Sequence, residues 1–393
     1  MPLPNDIRFI IKRLASHGFR ADVVGGCVRD FLLGKEPNDY DLTTDATPDE
    51  MRAVFSDSRT VDTGIKHGTL TVIIDKTPYE ITTYRNDGEY TDNRHPDKVT
   101  FTRALSEDLS RRDFTVNAMC YNESDGFTDL FGGTCDLEKK TVRAVGEPKK
   151  RFTEDALRIL RALRFASTLG FSIEDKTAAA IRETKHLLSK VSAERIFTEW
   201  NKLIAGVGAY SVISENRDVI EVFIPSLRGA VLPDEKSFTE ASPEIRELSI
   251  FALTNPDTAG EDYLSAMRML KSDNKRRDFG FSVLMALNEK TDTDTDLRLL
   301  LVKVGREVAE GVLNLKTALG RAEKKDVERL AELLNAGACY RLSDLKINGN
   351  DLSSLGIKGK DIGSTLNALL YGIAEGKIIN EREELLSAVA RMR

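Results

Sequence analysis

The feature that most constrains this chain lies near its start. The β-type run Ala21-Asp22-Val23-Val24 enters Gly25-Gly26, continues as Cys27-Val28-Arg29-Asp30, and is followed by Asn38-Asp39-Tyr40-Asp41. A strand that turns on paired glycines into a short helix and returns as a β-compatible segment is an α/β unit. It also spaces two carboxylates at i and i+2, which project to the same face of a strand. Asp39 and Asp41 therefore aim at one point, where a cation such as Mg²⁺ takes hard oxygen ligands and shares them with phosphates. The glycines let backbone N–H groups approach a phosphate, a following helix start adds a favourable dipole, and Arg29 offers a two-pronged fork. Each piece alone reads as a turn or a solvated loop. Their order and spacing together point to nucleotidyl transfer.

At 393 residues the chain exceeds one compact core, so several domains are expected. Hydrophobic and charged fractions of 41% and 31% are those of an ordinary globular protein. The opening residues carry no basic and apolar leader pattern, and no apolar run reaches the length of a membrane span. Cys27, Cys120, Cys135 and Cys339 form no C-x-x-C pair, which implies reduced thiols and a cytoplasmic setting. A net charge of −6 means that any nucleic-acid partner is held by local patches. Four scattered histidines, His17, His67, His95 and His186, argue against a histidine–metal hydrolase.

Ile7, Phe9, Ile10, Ile11 and Leu14 predict a helix over 6–18, and Val28 to Leu33 a short one stopped by Gly34. Thr47-Pro48 reads as an N-cap followed by proline at the first helical position. Thr69 to Ile74 and Tyr79 to Tyr84 predict a hairpin joined by residues 75–78. From about Glu154 helical periodicity takes over. Residues 232–236 and the Thr-Asp run 290–296 read as loops, the latter lacking the glycine and glutamate of a calcium-binding loop and feeding a helix start instead. The fold class is α+β: a mixed head, then an all-α remainder.

Four further groups bear on chemistry. Glu80, in Tyr79-Glu80-Ile81-Thr82-Thr83-Tyr84-Arg85, is either a third carboxylate beside the Asp strand or an exposed strand glutamate. The polar, turn-rich stretch from Arg85 to Asp97 reads as a surface loop, either a positioning loop or an inert one. Asp108-Leu109-Ser110-Arg111-Arg112-Asp113-Phe114-Thr115-Val116-Asn117 offers a phosphate and ribose clamp, or a helix surface with a salt bridge. From Glu154 to Ala166 a continuous helix is expected with Thr153 as its N-cap. Asp155, Arg158, Arg161 and Arg164 advance by threes along one stripe, so three arginines face one aspartate and leave positive charge over.

The series Gly-Gly-x-Val-Arg-Asp, Asp-x-Asp, Arg-Arg-Asp-Phe-Thr-x-Asn-Ala and Glu-Asp-x-x-Arg-x-x-Arg resembles the class II tRNA nucleotidyltransferases, the bacterial and eukaryotic CCA-adding enzymes of the polymerase β-like superfamily. The resemblance covers residues 20–205 and continues weakly through Ile347 to Leu352 and Gly356 to Gly363. It implies a nucleotidyltransferase head over 1–145, a helical neck over 146–205, a body over 206–320 and a tRNA-binding tail over 321–393. By matching motif positions, Asp39 and Asp41 are metal ligands for Mg²⁺. Gly26, Arg29 and Arg112 hold the triphosphate. Asp155 and Arg158 present a base-pairing edge to cytosine or adenine, and Arg161 and Arg164 complete the nucleotide pocket. The implied reaction is template-independent addition of CCA to the tRNA 3′ end from CTP and ATP, by two-metal transfer with release of pyrophosphate.

An aspartate accepts from the exocyclic amine that cytosine and adenine share and uracil lacks, and an arginine donates to ring acceptors. Within the family, poly(A) polymerases and A-only or CC-only enzymes share the head motifs. The Thr63 to Thr69 segment, the acidic balance and the absence of a long basic tail disfavour a poly(A) polymerase, and the full Arg85 to Asp97 loop disfavours CC-only addition. From another class, an inactive tRNA-binding module conflicts with intact Asp39 and Asp41. The lysines from Lys346 to Lys360 read either as phosphate contacts for tRNA or as solvated loop residues.

Overall fold

The computed structural model describes residues 1–37, 39–88 and 99–392, in two compact units, Met1–Phe223 and Ile224–Arg393. The first unit opens with α1 (Asn5–Ser16), β1 (Ala21–Val24), α2 (Gly26–Leu32), β2 (Asp41–Thr44), α3 (Pro48–Val54), β3 (Arg59–Gly64), β4 (Thr69–Ile74) and β5 (Thr77–Thr83). β6 (Arg85–Asp87) and β7 (Val99–Phe101) form a separate antiparallel ribbon, followed by α4 (Leu105–Ser110), β8 (Met119–Asn122), β9 (Gly126–Asp129) and α5 (Gly133–Glu138). A parallel pair, β10 (Thr141–Val142) and β11 (Ser172–Ile173), brackets α6 (Pro148–Glu154) and α7 (Leu157–Leu169). The unit ends with α8 (Asp175–Thr184), α9 (Ala193–Ala205), α10 (Ala209–Glu215) and α11 (Arg217–Phe223).

The main sheet has the order β3-β4-β5-β2-β1-β8-β9. Its centre is built from short apolar strands: Val23, Val24 and Leu42 are at most 1% exposed. β1 and β2 run antiparallel with Val24 opposite Asp41, and β2 and β5 run parallel with Leu42 beside Ile81. The β4–β5 hairpin turns on Asp75 and Lys76, both left-handed, the geometry of a two-residue turn whose twist matches the strands. β5 therefore starts at Thr77, earlier than the strand propensity suggests.

Local sequence rules account for most element ends. Thr47 and Glu50 form a reciprocal capping box with Pro48 at the first helical position. In α1 the buried face is Ile7, Ile10 and Leu14, whereas Phe9, counted in the apolar pattern, is 45% exposed. The expected continuous helix from Glu154 is corrected. α6 ends at Glu154, Asp155 is extended (φ −135, ψ 105), and α7 starts at Leu157. Thr153 lies in the last turn of α6, bonded back to Lys149, and caps nothing. Asp155 Oδ1 accepts from the Leu157 N–H, supplying the polar acceptor that a helix start needs.

The second unit is helical: α12 (Glu235–Glu240), α13 (Pro243–Thr254), α14 (Ala259–Met269), α15 (Asn274–Met285), α16 (Asp294–Ala318), α17 (Lys324–Asn335), α18 (Gly349–Ser354), α19 (Lys360–Ala374) and α20 (Arg382–Arg391). Thr293 and Asp296 form a capping box, so the Thr-Asp run is a helix start as expected. The loop expected over 232–236 is shorter, because Asp234 caps α12. α16 is interrupted at Gly305, whose φ of 77° glycine tolerates without strain. Ile347, Leu352, Leu369, Leu385, Ala388 and Val389 make a core of their own near the C-terminus.

Candidate active site

The site is built where β1 ends and β2 begins, beside the middle of β5. Leu42 and Ile81 are buried partners on parallel strands, so the residues preceding each, Asp41 and Glu80, stand level on the opposite face. Asp39 lies in the run into β2, which begins at Asp41, so strand alternation alone does not orient it. Charge does tie it to the group. The Asp41 carboxyl is pushed up from its ordinary pKa, first by the surrounding protein and next by Asp39, with Glu80 adding to the rise and Arg112 opposing it. Among the described residues no group of three or more His, Cys, Asp or Glu side chains is placed to hold a metal ion by itself. A pair of carboxylates nonetheless fits a hard divalent ion that completes its shell with water and phosphate oxygens.

Behind this edge the glycine turn is sterically committed. Gly25 has φ 81° and ψ −127°, a conformation closed to ordinary side chains, and a Cβ there would sit 3.4 Å from Arg112 Nη1. Gly26, the residue expected to hold phosphate, is the first residue of α2, and a Cβ on it would lie 3.7 Å from Arg29 Nη2. Arg112 donates through Nη2 to Asp108 Oδ2 at 3.3 Å, while its Nε is buried with no hydrogen-bond partner. A buried orphan donor costs about 1–3 kcal/mol, which is what a group held ready for an anionic ligand looks like. Burial alone would raise the Asp108 carboxyl; Arg111 and Arg112 outweigh it and hold the group below its ordinary pKa.

Arg29 connects the glycine turn to α7. It donates to Asp30 through Nε and Nη2 and to Asn117 Oδ1 through Nη1 at 2.7 Å. Asn117 Nδ2 in turn donates to Asp113 Oδ1, and Asp113 Oδ2 accepts from Arg161 at 2.9 and 2.6 Å. Burial alone would raise the Asp113 carboxyl, but the Arg161 charge and hydrogen bond, with Asn117 and Arg158, bring it down to about 2. Phe165 is the apolar hub of this network. Arg29, Arg161 and Arg164 place their guanidinium carbons 5.1, 5.4 and 3.5 Å from its ring centre.

The α7 stripe is thus not the surplus of positive charge that its own sequence suggests. Arg158 pairs with Glu154 at 2.8 Å and donates to the Arg111 carbonyl, and Arg164 pairs with Glu199 at 2.9 Å. Asp155 is held by Arg195 Nη2, at 3.2 and 2.9 Å from its two oxygens. Arg161 has Asp113, with Glu199 at 3.8 Å. Apart from Glu154, four residues before Arg158, these partners sit tens of residues away on α9 or before β8, so helical spacing could not find them. Asp108, Asp113 and Asn117 stand within the segment 108–117 that sequence marks as a clamp; Phe165, Arg195 and Glu199 carried no local signal beyond charge and aromaticity. The proposed loop to Asp97 lies mostly outside the described residues, as does Asn38; the described root of the ribbon is held by Asn86 donating to Glu107 at 2.6 Å.

Comparison with known proteins agrees with this arrangement. Residues 21–143 match the poly A polymerase head domain, 170–215 the probable RNA and SrmB-binding site of polymerase A, and 247–389 the putative tRNA nucleotidyltransferase domain 2. The chain is 37% identical to a CCA-adding enzyme of Enterococcus faecalis, over 100% of this chain and 97% of that protein. It is 38% identical to one of Lactococcus lactis subsp. cremoris, over 98% and 95%. Among solved structures, the Bacillus stearothermophilus CCA-adding enzyme in complex with CTP superposes with a TM-score of 0.81 at 32% identity, covering 100% of this chain and 98% of that one. The Thermotoga maritima CCA-adding enzyme complexed with tRNA shares the fold, with a TM-score of 0.68 at 21% identity over 99% and 95% of the two chains.

Proposed function

The chain belongs to the family of CCA-adding tRNA nucleotidyltransferases, and from that premise we propose how its own residues divide the work. It adds C, C and A to the 3′ end of tRNA from CTP and ATP. The observation that carries the residue assignment is that, within one compact unit, the glycine turn is joined to α7 through Arg29, Asn117 and Phe165, while Arg112, beside the same turn, acts on the Asp41 carboxylate.

Asp39 and Asp41 hold a divalent ion, which we assign as Mg²⁺, and Glu80 supports them from the neighbouring strand. When bound, the ion supplies Lewis acidity at the reacting phosphate and lowers the pKa of the attacking hydroxyl. The Gly25–Gly26 turn clears space for the triphosphate. Arg112, with its unused Nε, and Arg29, which spends three of its five N–H donors inside the protein, face the charge that grows on the leaving pyrophosphate. The tRNA 3′-oxygen bonds to the α-phosphorus, the bond to the bridging oxygen breaks, and the hydroxyl proton leaves to solvent. Asp155 accepts from the exocyclic amine of cytosine or adenine, and Arg158 donates to ring acceptors, so the protein edge takes the place of a template. Arg161 and Arg164 stiffen that edge from behind.

We assign the four-part division into head 1–145, neck 146–205, body 206–320 and tail 321–393 on the same grounds, the separate C-terminal core supporting the last boundary. No helix among the described residues is long and apolar enough to cross a membrane. All four cysteines are free, two of them buried, which fits a reducing compartment, and we place the enzyme in the cytoplasm. The test uses tRNA lacking its terminal CCA. CTP alone should extend it by C and C, and CTP with ATP should complete CCA. Addition of A alone to the truncated tRNA, or a long A tail, would overturn the assignment.

A further inference from the structure

We propose that Asp108 is a positioning residue for the transfer: its buried carboxylate fixes the Arg112 guanidinium in register with the catalytic strand β2. The inference rests on Arg112 being a triphosphate contact. Asp108 is 0% exposed, on α4. Its Oδ2 accepts from Arg112 Nη2 at 3.3 Å and shares the one Thr43 hydroxyl proton, at 3.3 Å, with the Thr82 carbonyl at 3.2 Å. Thr43 stands two residues beyond Asp41 on the same strand and therefore on the same face. One oxygen atom thus joins the arginine that meets the triphosphate to the strand that carries the metal-binding carboxylate.

The other oxygen secures the carboxylate itself. Oδ1 accepts from Arg111 at 3.0 and 2.6 Å and, at 3.4 Å, from the Arg85 backbone N–H at the root of the β6–β7 ribbon. A carboxylate buried this fully is a poor choice for stability alone, since apolar groups of similar volume fill such a place at least as well. What it supplies is direction. Arg111 and Arg112 are adjacent like charges that would otherwise turn away from each other and into water. The hydrogen bond to Asp108 takes up only one edge of Arg112, leaving Nε unpaired and Nη1 packed toward the Gly25 turn. Asp108 does not touch substrate; it acts through Arg112.

The test compares Asp108→Asn, Arg112→Lys and the double variant by steady-state kinetics with tRNA, CTP and ATP, alongside melting and tRNA binding. Asp108→Asn keeps the shape and loses the charge. KM for CTP and for ATP should each rise about tenfold, with tRNA affinity and the preference over UTP unchanged and the rate recovered at saturating nucleotide. The double variant should be no worse than Arg112→Lys alone, because the two groups act as one. A raised KM in Arg112→Lys with none in Asp108→Asn, or effects that multiply, overturns the positioning role while leaving Arg112 in place. An unchanged KM in Arg112→Lys removes the triphosphate contact itself and the inference with it. If Asp108→Asn fails to fold, Thr43→Val decides. It removes one hydroxyl from the same oxygen and should raise both nucleotide KM values about twofold; unchanged values would sink the idea.

Discussion

Asp41 is a residue whose charge state works against the empty fold. The surrounding protein raises its carboxyl first, Asp39 second and Glu80 further, against the pull of Arg112. For an acid with a raised folded-state pKa, the folded protein loses stability as pH rises from the unfolded value through the raised one. Asp41→Asn should therefore melt at a higher temperature than the parent at pH 7, while turnover falls by more than the roughly 10–100-fold that second-shell changes cost at metal sites. Added Mg²⁺ should raise the melting temperature of the parent and leave that of the variant unmoved. The acid limb of kcat/KM should shift to lower pH as Mg²⁺ increases, since ion and proton compete for the same oxygens. A variant that melts lower and still turns over would remove Asp41 from the metal site. Its place at the start of β2 was legible in the sequence because a β-compatible run is a local signal. Asn117 stood in a marked segment, but its partner Arg29 lies 88 residues away, and Phe165 and Glu199 carried no mark because their partners come only from the folded chain.

Among elements, the break between α6 and α7 changes what Asp155 does. The three-residue recurrence of Asp155, Arg158, Arg161 and Arg164 survives a single extended residue, so periodicity reads through the break as one helix. In the structure the Asp155 carboxylate divides its work between the Leu157 N–H and Arg195. It serves the start of a helix and, on the proposed assignment, the base-choosing edge as well, and the two duties separate by substitution. Asp155→Ala loses both, giving up about 1 kcal/mol of capping and weakening the preference for CTP and ATP over UTP. Asp155→Asn keeps an acceptor for the Leu157 N–H but loses the charge that holds Arg195, so the melting temperature should fall less than in Asp155→Ala while selectivity falls. Melting curves and single-nucleotide incorporation on the same preparations distinguish these outcomes; equal selectivity in Asp155→Asn and the parent would exclude the base-edge role. The other elements were well marked in sequence wherever a cap or a two-residue turn ended them, as at Thr47, Thr293 and Asp75-Lys76.

At the scale of the whole molecule, the proposed assignment puts chemistry and substrate grip in different parts of the chain. The assigned catalytic and nucleotide-selecting residues all lie in the unit Met1–Phe223. The division between a sheet-bearing start and a helical remainder was readable because the hydrophobic period changes once near Glu154. The limits of the compact units were not, since amphipathic helices follow one another without a break in composition. With a net charge of −6 the protein has no general attraction for tRNA, so binding must come from exposed basic residues placed locally. Lys358 and Lys360 are exposed on either side of Gly359, at the start of α19. If they neutralise tRNA phosphates, Lys358→Glu with Lys360→Glu should raise the KM for tRNA severalfold and leave the KM for CTP unchanged. The dependence of log K on log salt should become shallower by about 0.7–0.9 for each phosphate that the variant no longer neutralises. A parent-like salt slope would assign both lysines to the solvated surface and move the tRNA grip elsewhere in the second unit.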